Sequence, residues 1–168
     1  MHKAVHERRI SGMGQSAKDK TIVMGILERG GKIHTELIPD RQKHTLQPIV
    51  RKHVEPGSAL YTDEMGGYMG LSEEFLHQIV NHAVEYVRGR VHTNGTENYW
   101  SLLKRGINGT YVSIEPFHLF RYLDEQMFRF NNRKMTDAQR FDIAAKGMVG
   151  KRLTFAELTG KVTGVESF

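Results

Sequence analysis

Asp63 is the first residue whose type and place could do chemistry. It follows residues 58–62, a short apolar run that predicts a buried strand. The carboxyl end of a strand is where α/β sheets usually present functional groups, and carboxylate oxygens are the ligands that Mg²⁺ prefers. The alternative is that Asp63 only caps the Gly-rich loop over residues 65–71, and the residues alone favour this simpler role.

Asn94, Glu97 and Lys104 form the second candidate group. If a helix begins near Asn94 and ends before Gly106, Glu97 and Lys104 share one face, because they are seven residues, about two turns, apart. A carboxylate or amide oxygen can bind a metal ion, and a lysine beside it can contact a DNA phosphate. Asn94 followed three residues later by Glu97 also resembles a capping box, which needs no chemistry. Spacing alone leaves both interpretations open.

The nine histidines do not predict a zinc site. His77, His82 and His92 match no ligand spacing typical of zinc, and no cysteine assists them. We expect ordinary polar histidines, except that His92 adjoins Asn94 and is placed to orient a phosphate or a water. The basic, Gly-containing segment 12–20 lacks the spacing of a phosphate-binding loop or a dinucleotide fingerprint, so no nucleotide cofactor is expected.

The elements that must position these residues indicate an α/β fold. Residues 21–27 and 33–38 are typical of a strand hairpin, and residues 45–54 have helical spacing, which Pro48 permits only in the first turn. With the strand over 58–62, this order predicts a parallel crossover and hence a mixed α/β sheet. The remaining predicted elements are a strand over 75–80 and helices over 94–105, 116–133, 136–148 and 154–158.

The helix over residues 116–133 has the strongest periodicity. Phe120, Leu123, Met127 and Phe130 fall on one stripe, which predicts its buried face. Its arginines lie on other faces, where they are typical of a solvated surface. In a DNA-binding protein the same arginines would contact phosphates.

Composition excludes several classes of protein. The chain has 168 residues, 39% of them hydrophobic and 26% charged, as expected of one globular domain rather than a disordered segment. The absence of cysteine excludes disulfides, cysteine zinc fingers and thiol catalysis. No apolar run is long enough to span a bilayer. The net charge of +5 favours a polyanionic partner, and we expect a cytoplasmic, nucleoid-associated protein.

Taken together, these strings resemble the catalytic domain of a known family. The string over residues 92–106, with its H-x-N-x-x-E-x-x-W-x-x-x-K-R pattern, is the specific part. In consistent order along residues 18–158, it is similar to the ISXO2-like domain of bacterial insertion-sequence transposases of the DDE type. The further matching strings lie at residues 20–25, 54–57, 61–64, 80–82, 109–111, 118–122, 128–131 and 147–154.

The resemblance implies a ribonuclease H-like domain with an Asp, Asp, Asn-or-Glu, Lys signature. It assigns Asp63 to the second aspartate, Asn94 or Glu97 to the third position, and Lys104 to the lysine. The implied chemistry is hydrolysis and strand transfer of DNA phosphodiesters at transposon ends by two Mg²⁺ or Mn²⁺ ions, with homo-oligomers acting on paired ends. The expected DNA contacts are His92, Lys104, Arg105, Arg121, Arg129 and Arg133.

The first aspartate of the signature has no counterpart in this sequence. In the family it lies on the first sheet strand, in an Asp-Glu-aromatic-x-Gly-Gly context, whereas here no Asp precedes Asp19. We therefore expect a truncated or split reading frame, a sheet without its first strand, and impaired strand transfer. The alternative is a non-catalytic DNA-binding remnant. The expected segments are a basic flexible N-terminus over 1–20, the domain over 21–158 and a tail over 159–168.

Overall fold

A five-stranded sheet organises the first of two compact units, residues 1–131 and 132–168. The structure is a computed structural model. It describes residues 2–11, 20–80, 94–111 and 114–160, and of these it gives only the backbone for 2–11, 20 and 94.

The sheet is mixed, with strand order β3-β2-β1-β4-β5. Its strands are β1 (His2–Ser11), β2 (Lys20–Glu28), β3 (Ile33–Ile38), β4 (Ala59–Thr62) and β5 (Leu76–Ile79). β1, β2 and β3 pair antiparallel, whereas β4 is parallel to both β1 and β5. The predicted mixed α/β class, the hairpin and the parallel crossover are therefore confirmed.

Strand β1 lies in the centre of the sheet, and its presence shows that two predictions were wrong. Residues 2–11 were expected to be part of a loop, and the sheet was expected to lack its first strand. Instead β1 pairs with β2 over nine positions and with β4 over three. Its sequence is polar and has no strand periodicity, so this strand depends on the hydrogen-bonding edges that β2 and β4 offer it.

Helix α1 (Lys43–His53) covers one face of the sheet. Leu46 and Val50 are fully buried there against Met24 of β2 and Leu60 of β4. Pro48 lies in the second turn of this helix rather than in the first turn as predicted.

Two helices cover the opposite face, α2 (Asn94–Arg105) and α3 (Leu119–Asn131). α2 has the predicted bounds, and it continues as a π-helical turn over Gly106–Tyr111. Strand alternation places Val23 and Leu27 of β2 on this face, where the buried side chains of both helices surround them. The sheet therefore has an apolar layer on each side.

The buried stripe of α3 differs from the predicted stripe at its first position. Leu123 is buried, and Met127 and Phe130 pack against the core, as predicted. Phe120 is 43% exposed, and Leu119 takes its place in the core. A short 3-10 turn over Pro116–His118 precedes α3, so the helix begins later than predicted.

The second unit contains α4 (Asp137–Met148) and α5 (Phe155–Thr159). Thr136 and Thr154 each cap their helix in a complete capping box, with Gln139 and Glu157 as the reciprocal partners. Both predicted caps are confirmed. Along the ranges that the structure describes, no helix has the length and apolarity that a membrane crossing requires.

Candidate active site at the carboxyl end of strand β4

Asp63 lies directly after β4, at the carboxyl end of a strand, as predicted. Its carboxylate Oδ1 accepts a hydrogen bond from the backbone N–H of Met65 at 3.2 Å. The predicted capping role is therefore real. It does not preclude metal binding, because an ionised carboxylate has about four lone-pair sites and this bond uses one.

Thr62, the residue before Asp63, fixes the end of the strand. Its side chain is fully buried, and its hydroxyl donates to the Asp63 backbone carbonyl at 2.9 Å. The Thr62 hydroxyl also lies 2.8 Å from Nε2 of His77 on β5. Burial lowers the pKa of His77, because it disfavours the charged imidazolium. His77 thus links the ends of β4 and β5 through the Thr62 hydroxyl.

Helix α1 holds the loop that follows Asp63. The buried Gln47 amide donates to the carbonyls of Gly67 (3.3 Å) and Met69 (2.8 Å). A Cβ on Gly67 would lie 2.8 Å from the backbone oxygen of Arg41, so this close approach requires glycine. The loop is therefore tied to the helix on both sides of Tyr68, which is itself fully buried.

An ion pair fixes the far end of the same loop. The Arg51 guanidinium donates to both carboxylate oxygens of Glu74, with distances of 2.7 to 3.0 Å, and also to Gln47 Oε1 at 3.0 Å. Hydrogen bonding from Arg51 lowers the pKa of Glu74. α1 thus anchors residues 67–74, and through them the direction in which the chain leaves Asp63.

Glu97 and Lys104 lie on one flank of α2. The buried side of this helix consists of Thr96, Tyr99, Trp100 and Leu103. At 100° per residue, Glu97 and Lys104 fall within about 20° of each other, at the border of that buried side. Glu97 is partly buried and Lys104 is exposed. The predicted shared flank of a carboxylate and a cation is therefore confirmed.

Gly95 sets the close approach between α2 and the sheet. A Cβ at this position would lie 2.6 Å from Cδ2 of Leu27. Leu27 pairs across β2 and β1 with Ala4, and Ala4 pairs on its other side with Tyr61 of β4. The beginning of α2 therefore lies on the sheet row that contains Tyr61, and Asp63 follows Tyr61 by two residues.

The expected DNA contacts fall into different surroundings. Lys104 and Arg105 are exposed in the last turn of α2. The Arg121 guanidinium packs on the rings of Phe117 and Phe120, at 6.0 and 5.2 Å. Arg129 forms an ion pair with Glu125 at 2.8 Å. Arg133 belongs to the second unit, is exposed, and has an interaction partner. His92 and the side chain of Asn94 lie outside the described residues.

A second group of metal-ligating side chains was not predicted from the sequence. It consists of His34 and Glu36 on β3 and His53 at the end of α1, and a ligand atom of each lies within 4.8 Å of the others. The signal available was the alternation that puts residues 34 and 36 on one strand face. The third member is seventeen residues further on, and only the crossover of α1 brings it near.

Comparison with known proteins shows which family the chain belongs to. The model of the ISXO2-like transposase domain matches residues 1–131, which is the range of the first compact unit. The chain is 35% identical over 105 residues, 62% of its length, to a Haemophilus influenzae protein described as an uncharacterized transposase-like protein, of which the match covers 85%. Because this family model covers more than three quarters of the sequence, the chain belongs to the ISXO2-like transposase domain family.

Proposed function

We propose that this domain performs the DNA chemistry of an insertion-sequence transposase, namely metal-dependent hydrolysis and strand transfer at transposon ends. The observation that carries the proposal is the place of Asp63 at the carboxyl end of β4, in a chain of this family. The mixed sheet with helices on both faces supports the ribonuclease H-like fold that the resemblance implies.

Asp63 is the proposed metal ligand of β4, and Glu97 or Asn94 supplies the next ligand from α2. These donors fit Mg²⁺ or Mn²⁺, because both ions favour oxygen ligands and bind through one or two carboxylates together with substrate phosphate. Two such ions would activate the attacking water or 3′-hydroxyl and stabilise the leaving oxygen. The role of the protein in this proposal is to hold the ligand oxygens at fixed positions around the ions.

Lys104 is the proposed phosphate contact beside the metal ligands. It lies about two turns beyond Glu97 on the same flank, so a DNA strand bound at Glu97 could continue past it. Its ammonium would neutralise the phosphate next to the scissile bond and position it. Arg105 is also exposed and extends this basic end of α2.

The absence of an aspartate from β1 is the reason we propose that strand transfer by this chain is impaired. β1 pairs Ala4 with Tyr61, and continuing this parallel register by two residues sets His6 beside Asp63. β1 contains no Asp. The resemblance implies an aspartate on this strand, and an aspartate would suit Mg²⁺ or Mn²⁺ because both ions favour oxygen ligands.

The test uses the purified chain with labelled transposon-end DNA in Mg²⁺ or Mn²⁺. We expect the chain to bind DNA and to cleave it weakly, and we expect His6→Asp to increase metal-dependent cleavage. Asp63→Asn should abolish the remaining cleavage, since it removes the charge but keeps an oxygen that can accept from Met65. The matched control is Glu64→Gln, the neighbouring exposed carboxylate, which should cleave as the wild type does.

Two results would decide against the proposal. Cleavage that survives Asp63→Asn would show that Asp63 is no metal ligand. Robust cleavage by the unmodified chain, abolished by Asp63→Asn, would show that no first carboxylate is lacking.

The second candidate function is DNA binding without catalysis. It is favoured by the net charge of +5 and by the exposed Lys104 and Arg105, since counter-ion release alone can drive binding to DNA. Steeply salt-dependent binding, with no cleavage by the wild type or by His6→Asp in any metal, would support this function over the first.

A further inference from the structure

We propose that His34, Glu36 and His53 form a Zn²⁺ site with one open coordination position. The site lies on the edge strand β3 and at the end of α1. β2 and β1 separate β3 from β4, so this site is distinct from the one proposed around Asp63. No part of the proposed DNA chemistry is required for it.

The donor set selects the kind of metal. Two imidazoles and a carboxylate are a well-known zinc-ligand set that leaves a fourth position for water or another ligand. Mg²⁺ prefers an all-oxygen shell, so it is a poor occupant of a site with two nitrogen donors. A borderline transition metal is therefore expected to bind here even when Mg²⁺ is in excess.

The distances are close to those of a bound ion. With bonds of about 2.0–2.1 Å, ligand atoms around tetrahedral zinc are separated by about 3.4 Å. His34 Nε2 lies 3.4 Å from Glu36 Oε2, and His53 Nε2 lies 4.0 Å from the same oxygen. Binding the ion requires the His53–Glu36 distance to contract by roughly half an ångström and one imidazole ring to turn, which brings the two ring nitrogens, now within 4.8 Å of each other, closer together.

The surroundings permit that adjustment. The two imidazole rings are stacked, with centroids 3.8 Å apart and an angle of 23° between their planes. The side chains of His34, Glu36 and His53 are 36%, 39% and 23% exposed, so none of the three is packed inside the hydrophobic core. His53 is also the last residue of α1, where the partial negative charge of the helix end favours a cation.

An ion at this position would cross-link two elements of the sheet layer. Among the described strands β3 pairs with β2 alone, and α1 leads from β3 to β4. A zinc ion shared by β3 and α1 would therefore stabilise the folded chain in proportion to its occupancy. The open position would accept a water or another ligand.

The experiment measures Zn²⁺ binding by the full chain, without an affinity tag, by titration calorimetry and thermal unfolding in excess Mg²⁺. We expect saturable binding of one ion, a raised Tm, and a Co²⁺ spectrum typical of tetrahedral nitrogen and oxygen ligands. Each of His34→Ala, Glu36→Gln and His53→Ala should weaken Zn²⁺ binding by more than about tenfold, since even the loss of an outer-shell partner often costs that much.

The matched control is His44→Ala, which removes an exposed histidine of the same helix α1 and should leave Zn²⁺ binding unchanged. Asp63→Asn should also leave it unchanged, which separates this site from the DNA chemistry. Circular dichroism of the metal-free variants checks that each is folded. If a histidine variant is unfolded, the result for Glu36→Gln, the mildest of the three changes, decides the question. Absence of saturable Zn²⁺ binding, or wild-type affinity in all three ligand variants, would overturn the proposal.

Discussion

Asn131 binds the backbone of Ile33 through both ends of its side-chain amide. Its Oδ1 accepts from the Ile33 N–H at 2.7 Å, and its Nδ2 donates to the Ile33 carbonyl at 2.9 Å. Ile33 begins β3, which is an edge strand of the sheet. The last residue of α3 therefore supplies the two hydrogen bonds that a neighbouring strand would otherwise make, and it protects that edge.

Removing this amide should destabilise the first unit. Asn131→Ala leaves two partly buried backbone groups without their partner, which costs about 2 kcal/mol of unfolding free energy. Urea denaturation measures the change. Asn98→Ala, an exposed asparagine on α2, is the control and should cost little. Equal stability of the two variants would show that water replaces the Asn131 amide without loss.

The loop after Asp63 can be tested with two adjacent glycines. A Cβ on Gly67 would lie 2.8 Å from the Arg41 backbone oxygen and 2.7 Å from Leu46 Cδ1, whereas a Cβ on Gly66 would meet nothing within 4 Å. Gly67→Ala should therefore destabilise the chain by about 1–3 kcal/mol through overpacking. Gly66→Ala should change the unfolding free energy by less than about 0.5 kcal/mol.

The same pair of variants tests whether the loop positions Asp63. If it does, Gly67→Ala should lower metal-dependent cleavage by a cleaving variant such as His6→Asp, at a temperature where the protein is still folded. Gly66→Ala in that background should not. Cleavage that is unaffected by Gly67→Ala would mean that the strand end alone holds Asp63.

Tyr99 gives the stability of the domain a dependence on alkaline pH. Burial raises the pKa of Tyr99 from 10.0 to about 12. The folded state therefore retains a proton that the unfolded state loses, so this contribution is complete below pH 10 and is lost as the pH rises toward about 12. Stability curves for Tyr99→Phe should fall less steeply in that range. The partly exposed Tyr122→Phe, as control, should follow the wild type.

Two basic residues should differ in their effect on DNA binding. Lys104 is exposed beside the candidate site, whereas the Arg129 side chain is held by Glu125. Lys104→Ala should weaken binding to any DNA sequence and lower the slope of log affinity against log salt by about 1. Arg129→Ala should change that slope less, since its charge is already compensated. A larger effect of Arg129→Ala than of Lys104→Ala would indicate that the DNA runs along α3 and not along the end of α2.

Several features could be predicted because they depend on short-range patterns in the sequence. Apolar runs and alternation predicted β2, β3, β4 and β5, and a Thr at the start of each segment predicted the capped starts of α4 and α5. The bounds of α2 followed from Asn94 and from Gly106. Once that helix is given, the shared flank of Glu97 and Lys104 is a matter of helical geometry.

Tertiary structure alone decided the rest. Residues 2–11 have no strand pattern, and they form the central strand because β2 and β4 present unpaired backbone groups on either side. The choice of Leu119 over Phe120 for the core depends on which side of α3 packs against the sheet. His34, Glu36 and His53 lie close together because α1 crosses over one face of the sheet. The spacing of these residues in the sequence does not predict this contact. Local patterns determine which element forms, whereas contacts between distant residues depend on how the elements pack.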